Sequence, residues 1–265
     1  MSLKPGSLKK APCVGAFFLL VAWLQPAAAD VCSPTADAEP VRVRYVHDGD
    51  TLVLSDERKI RLLGINTPET ARDGEPTQAL AIRARDRLRQ LLFQHGNRAQ
   101  LLYGNQKQDR YGRHLAHLWS PDGENLSARL LSEGLGWAIV IPPNTQLAAC
   151  YVASAEKARN AAEGVWGHPA YAAKPSKTLN LRMEGFSRVQ GRITRVNHGG
   201  GATWINLEGH FAIRIPDQDL QWFPNPPARS WVGREAEVQG WLYATKGELR
   251  VTVQHPSALR LVSQP

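Results

Sequence analysis

Cysteine is scarce: Cys13, Cys32 and Cys150 are the three in 265 residues, too scattered to take the spacing of a zinc site. Long apolar runs are also lacking. The greasiest stretch, Val14 to Leu24, has 11 residues and is too short to span a bilayer comfortably. Nor is there an extreme charge; a net +8 permits a polyanionic partner without establishing one.

What is present begins with an export signal. Lys4, Lys9 and Lys10 stand without an acid before the apolar run, and Ala27-Ala28-Ala29 follows it, which is the layout of a secretory signal peptide over residues 1–29. An uncleaved anchor is the alternative. A lipoprotein is excluded, because Cys13 precedes the apolar run. Cleavage after Ala29 is expected, giving a secreted or periplasmic protein without a stable membrane anchor, whose net charge falls from +8 to +5 once those three lysines are removed. Cys32 and Cys150 then sit in an oxidising compartment, which favours a disulfide between them over two free thiols.

The rest is long enough for two cores. After a tail at residues 30–40, a first domain is expected over 41–171, a small-residue linker over 172–178 (AAKPSKT) and a second domain over 179–265. In the first, Val41, Val43 and Tyr45 alternate, Leu52 to Leu54 and Ile60 to Ile65 give two further strands, and helical periodicity follows over Thr77 to Phe93. Arg83, Arg85, Arg87 and Arg89 lie largely off that helix's apolar stripe, as a solvated face. Gln100 to Tyr103 and Leu115 to Trp119 read as a strand pair, and Asn125 to Ser132 and Leu147 to Ala162 as helices stopped by Gly134 and Gly164.

The chemistry concentrates in Arg61 to Thr70, RLLGINTPET. There a strand runs into a turn bearing Asn66, Thr67, Pro68 and Glu69. Asp50 precedes Arg61 by 11 residues and Arg113 follows it by 52. A carboxylate with amide and carbonyl oxygens suits a hard divalent cation, and two guanidiniums suit a phosphate, so the set reads as metal-assisted chemistry on a phosphodiester. Taken singly, Asp50 reads more readily as a turn residue, and Arg61 or Arg113 as half of a structural ion pair; it is their joint occurrence that points to a site.

The order DGDT, RLLGINTPET, DRYGR, EGLGW, PPNT and GVWG over residues 41–167 closely resembles the staphylococcal nuclease (thermonuclease) family. That resemblance implies an α+β fold, a five-stranded OB barrel with three helices, that cleaves DNA and RNA with calcium. It implies Asp50, Asn66 and the Thr67 carbonyl as metal ligands, Glu69 as the catalytic glutamate and Arg61 and Arg113 as the catalytic arginines. Arg110 and Tyr111 correspond to residues that hold a neighbouring phosphate.

Two departures stand out. Asn66 offers a neutral oxygen where the family's founding member has a carboxylate, so weaker calcium binding, or preference for another divalent ion, is expected. Ala138 to Pro142 replace tyrosines that would lie against the nucleotide, leaving Trp137 either to compensate or to pack. The alternative to an exported nuclease is therefore a nucleic-acid-binding protein of the same fold with weakened catalysis. A monomer is expected in either case.

For the second domain, Val189 to Val196, Trp204 to Leu207, Phe211 to Ile215, Ala236 to Leu242 and Leu249 to Val253 give five strands, with a short helix over Gln218 to Phe223. This pattern resembles another OB-like barrel. Trp204, Trp241, Tyr243, Arg192, Arg195 and Arg250 are its candidates for single-strand binding; equally, the aromatics pack the barrel or seat it on the first domain.

Overall fold

A computed structural model describes residues 1–2, 32–34, 36–71 and 74–262. The body of the expected signal peptide and its cleavage point lie outside the described residues. Among these residues no helix is long and apolar enough to cross a membrane.

The first half is a closed five-stranded barrel with three helices. In chain order its elements are β1 (Glu39–Val46), β2 (Thr51–Leu54), β3 (Lys59–Leu62), β4 (Ile65–Asn66), α1 (Ala81–Phe93), β5 (Arg98–Gln108), β6 (His114–Trp119), α2 (Leu126–Ser132), β7 (Trp137–Ala138) and α3 (Ala148–Asn160). The barrel runs β1-β2-β3-β6-β5 and closes on β1, with β3 and β6 parallel, while β4 and β7 form a separate small pair. Period-two alternation turns Leu52, Leu54, Ile60 and Leu62 inward, and each such side chain contributes roughly 1.5–3 kcal/mol by leaving water. The alternation in β1 breaks at a bulge between Val43 and Tyr45. Val43 and Val46 are buried and Tyr45 is 48% exposed, so Val43 and Tyr45 do not share the face that simple alternation predicts for them.

Helix boundaries follow local chemistry. The first helix starts at Ala81, four residues later than its periodicity suggests, because Leu80 at its N-terminus is left-handed (φ 65°). Asn125 caps α2 by accepting from the Ala128 N–H at 3.0 Å. Arginines on α1 are ion-paired at the surface: Arg87 to Glu133 at 2.7 Å, and Arg85 to Asp86 at 2.9 Å. Gly64 (φ +84°) lets α3 approach, since a Cβ there would fall 2.0 Å from the Tyr151 ring. On α3, Cys150 is disulfide-bonded to Cys32, and the Trp119 indole donates to the Cys32 carbonyl at 2.7 Å.

The second half contains β8 (Lys174–Pro175), β9 (Gly185–His198), β10 (Ala202–Leu207), β11 (Phe211–Pro216), β12 (Glu235–Thr245), β13 (Glu248–Thr252) and β14 (Leu259–Val262). All five strands expected from the sequence are present, and the expected short helix is a 3-10 turn at Asp217–Trp222. The ring closes because β12 is long. One edge pairs with β9 from Glu235 to Leu242, while its other edge takes β14 at Glu235–Val238 and β13 at Leu242–Thr245. The stretch 172–178 is itself structured, since β8 pairs in parallel with β9 and Ser176 is buried. Each barrel has its own apolar core, and residues 31–265 form one compact unit.

Candidate functional site

The site is built where β2, β3 and β4 meet. Asp50 lies just before β2, 1% exposed, and its Oδ2 accepts from the Thr67 N–H (2.8 Å) and the Thr67 hydroxyl (3.2 Å). Its other oxygen accepts from Thr51 Oγ1 at 3.0 Å. Gly49 makes this approach possible, because a Cβ there would sit 2.7 Å from Thr67 Cγ2 and 2.8 Å from Ala84.

Arg61 lies on β3 between inward-pointing Ile60 and Leu62, so its side chain leaves the barrel on the site side. One terminal nitrogen donates to the Leu62 carbonyl (2.6 Å) and the Ile65 carbonyl (2.8 Å). The other lies 3.2 Å from both Asn66 Oδ1 and Asp50 Oδ2. Arg61, Asp50, Asn66 and Thr67 are thus brought into direct contact.

Glu69 is exposed at the end of the same turn. Its N–H donates to Gln78 Oε1 (2.9 Å) and its carbonyl accepts from the Gln78 N–H (3.0 Å). Its carboxylate is close enough to be felt by Asp48, to which the motif comparison gives no role although it stands two positions before Asp50 in DGDT. Asp48 is 4% exposed and accepts from the Asp50 N–H at 3.0 Å. Burial first, then the Asp50 and Glu69 carboxylates, push its carboxyl up to about 8, against the weaker opposing pull of the Asp50 N–H and Arg61.

Arg113 arrives from the loop before the neighbouring strand. Leu115 of β6 pairs with Arg61, and Arg113 ends the loop that enters β6, one residue before the strand begins at His114; among the described residues its side-chain partners are Asp109 and Tyr111, not Asp50 or Arg61. Its Nε donates to Asp109 Oδ2 at 2.8 Å. Burial alone would raise Asp109, but the hydrogen bonds from Arg113 and Tyr111 outweigh it and hold the carboxyl low. Arg110 and Tyr111 stand beside it: Tyr111 is 68% exposed, with the Arg110 and Arg113 guanidiniums 4.8 and 5.6 Å from its ring centre.

The donor chemistry fits a hard divalent cation. Among the described residues, the Asp50 carboxylate and the Asn66 side-chain oxygen both lie 3.2 Å from Arg61, and the Asp48 carboxyl feels both the Asp50 and the Glu69 carboxylates. No three His, Cys, Asp or Glu side chains among those residues form a cage by themselves, so such an ion needs amide, carbonyl and water oxygens as well, which calcium accepts.

Trp137 is not available to stack on a base. It is 4% exposed, with its ring 4.9 Å from Tyr171 and 5.0 Å from Phe186. The second-barrel candidates are spread out. Arg250 covers Trp204 at 4.7 Å and bonds Glu248, the Tyr243 hydroxyl is 3.3 Å from Thr252 Oγ1, and Trp241, 47% exposed, packs on Phe186.

Residues 59–168 match the family described as "Staphylococcal nuclease homologue". The thermonuclease of Staphylococcus intermedius is 30% identical over 131 residues, covering 48% of this chain and 76% of that protein. That of Staphylococcus hyicus is 29% identical over 136 residues, 50% of this chain and 79% of its own. An uncharacterized endonuclease of Escherichia coli O157:H7 is 33% identical over 99 residues, covering 36% and 58%. With the five-stranded barrel, its three helices and these relatives together, the chain belongs to the staphylococcal nuclease family.

Proposed function

We propose that this chain is an exported, divalent-metal-dependent nuclease that hydrolyses phosphodiester bonds of DNA, RNA or both. The observation that carries the reading is the contact of Asp50, Arg61, Asn66 and Thr67 around one turn, with Glu69 at its end and Arg113 in the loop that leads into the strand beside β3. Asp50, Asn66 Oδ1 and the Thr67 carbonyl are the groups assigned to hold calcium. A cation there supplies Lewis-acid stabilisation of a phosphate oxygen. The Arg113 fork binds the equatorial oxygens that gain charge as the P–O bond breaks, and Arg61 lends its field from beneath while fixing the turn. Glu69 orients the attacking water. A carboxylate beside cations is a weak base, so positioning is its larger contribution and full proton abstraction the smaller. Arg110 and Tyr111 hold the next phosphate along the strand. The Cys32–Cys150 bond supports export to an oxidising compartment.

A second reading, a nucleic-acid binder with weakened catalysis, is favoured by one feature: the Arg61 fork is already committed to Asp50, Asn66 and two carbonyls. One assay separates the two. The purified exported protein is given single- and double-stranded DNA and RNA, with calcium and with chelator, beside Glu69→Gln. Cleavage that needs the metal and falls in Glu69→Gln supports the nuclease; binding without cleavage supports the second reading.

A further inference from the structure

The second barrel touches the first along a seam that leads straight to the site. On the outward side of β12, Gln239 Nε2 donates to the Ala138 carbonyl at 2.8 Å. Ala138 of β7 pairs with Ile65 of β4, and the Ile65 carbonyl accepts from Arg61. One step along that pair, Asn66 lies opposite Trp137, whose ring rests on Phe186 of β9. A second line of contacts runs to Glu69. Arg188 of β9 donates to the Tyr171 carbonyl at 3.3 Å, and the Tyr171 hydroxyl donates to the Ala79 carbonyl at 2.5 Å. Ala79 follows Gln78, the residue bonded to Glu69 at both its backbone groups.

Beside these contacts the seam is clamped by charge. The Glu237 carboxylate receives Arg188 at 2.8 Å, Arg159 of α3 at 2.7 Å and Arg260 at 3.2 Å. The Arg159 and Arg188 guanidiniums also lie over the Trp166 ring, 4.9 and 4.8 Å from its centre. A two-residue strand pair such as β4–β7 has little stability of its own, since isolated short pairings are marginal in water. Its geometry depends on what is packed behind it.

We infer that the second barrel acts as a brace for the catalytic turn, with Gln239 and Tyr171 as positioning residues for Arg61 and Glu69 respectively. The inference rests on the nuclease reading for its catalytic consequence, but not for its structural one. Gln239 is placed to hold the carbonyl opposite Ile65, and loss of its donor frees the Ile65–Asn66 strand from behind. Displacing a reacting group by about 1 Å is enough to cost roughly 10²-fold in rate, so a modest loosening is visible in kcat.

The test uses full-length protein. Gln239→Glu keeps the length of the side chain and removes the donor, whereas Gln239→Lys restores one. Two readouts are taken: hydrogen exchange at the Thr67 amide, which is bonded to Asp50, and steady-state kinetics on DNA. In Gln239→Glu the Thr67 amide is expected to exchange faster and kcat to fall about tenfold with KM nearly unchanged. Gln239→Lys is expected to recover both. Tyr171→Phe is expected to speed exchange at the Glu69 amide with the same kcat signature. Unchanged exchange in Gln239→Glu, or a lysine variant as defective as the glutamate, overturns the brace. Because exchange is read without substrate, a parent protein that cuts nothing sinks the nuclease reading alone, and the exchange rates of the variants still decide for or against the brace.

Discussion

Arg61 Nη2 lies 3.2 Å from Asp50 Oδ2, and the same guanidinium spans the Leu62 and Ile65 carbonyls. One planar fork therefore neutralises the buried acid and ties down the turn that follows it. A lysine keeps the charge but loses the planar fork that spans these acceptors. Arg61→Lys is expected to lower kcat by about 10²–10³-fold, the usual loss when a preorganised donor is removed. It should also cost about 1–3 kcal/mol in denaturant unfolding, as the two carbonyls lose their partner.

Asn66 presents a neutral oxygen beside the Arg61 guanidinium, which also contacts the Asp50 carboxylate. Asn66→Asp adds a ligand charge and is expected to tighten calcium binding on the order of tenfold. Titration calorimetry measures this directly; unchanged affinity would remove position 66 from the ligand set.

The disulfide joins residues 118 apart in sequence and fastens the N-terminal tail beneath Trp119. For a loop that long the chain-entropy contribution is about 4–5 kcal/mol. Denaturant unfolding with and without reductant, beside Cys150→Ser, is expected to show a loss of that order, with both treatments giving the same midpoint.

Acid should loosen the seam. Burial pushes the Glu237 carboxyl up, but Arg188, Arg159 and Arg260 outweigh it and hold it below the ordinary value of 4.5. Arg159 is itself lowered, by burial and by the two neighbouring guanidiniums, yet keeps its proton throughout the acid range. A depressed carboxyl contributes its full stabilisation above its unfolded value and loses it as the pH falls through the folded one. Stability is therefore expected to drop below about pH 4.5, with that part of the drop missing in Glu237→Gln. At neutral pH the same substitution should cost about 3–5 kcal/mol by leaving buried arginines uncompensated.

Much of this was legible in the sequence because the first three motifs fix both strand phase and chemistry. DGDT and RLLGINTPET located Asp50, Arg61, Asn66 and Thr67, which the fold does bring together, and alternation with apolar runs between Gly-rich turns located five strands of the second barrel. Three things were not legible. Asp48 was visible in its motif, but its raised carboxyl depends on burial beside Asp50 and Glu69, a tertiary effect. Tyr45 was misplaced because a bulge adds a residue without a sequence signal. Strands β8 and β14, two and four residues long, are made by their partners rather than by their own periodicity. The same holds for Gln239, an ordinary polar residue on an alternating strand until its neighbour across the seam is known.

Positions 237 and 239 face outward from β12, while Ala236 and Val238 beside them fill the second core. Sliding that strand by one place would exchange the two sets, emptying the core and the seam at once. A homologous barrel grafted onto the first domain can work only if it arrives in the same phase with the same two polar anchors, so in engineering terms the two barrels are a single transplantable part.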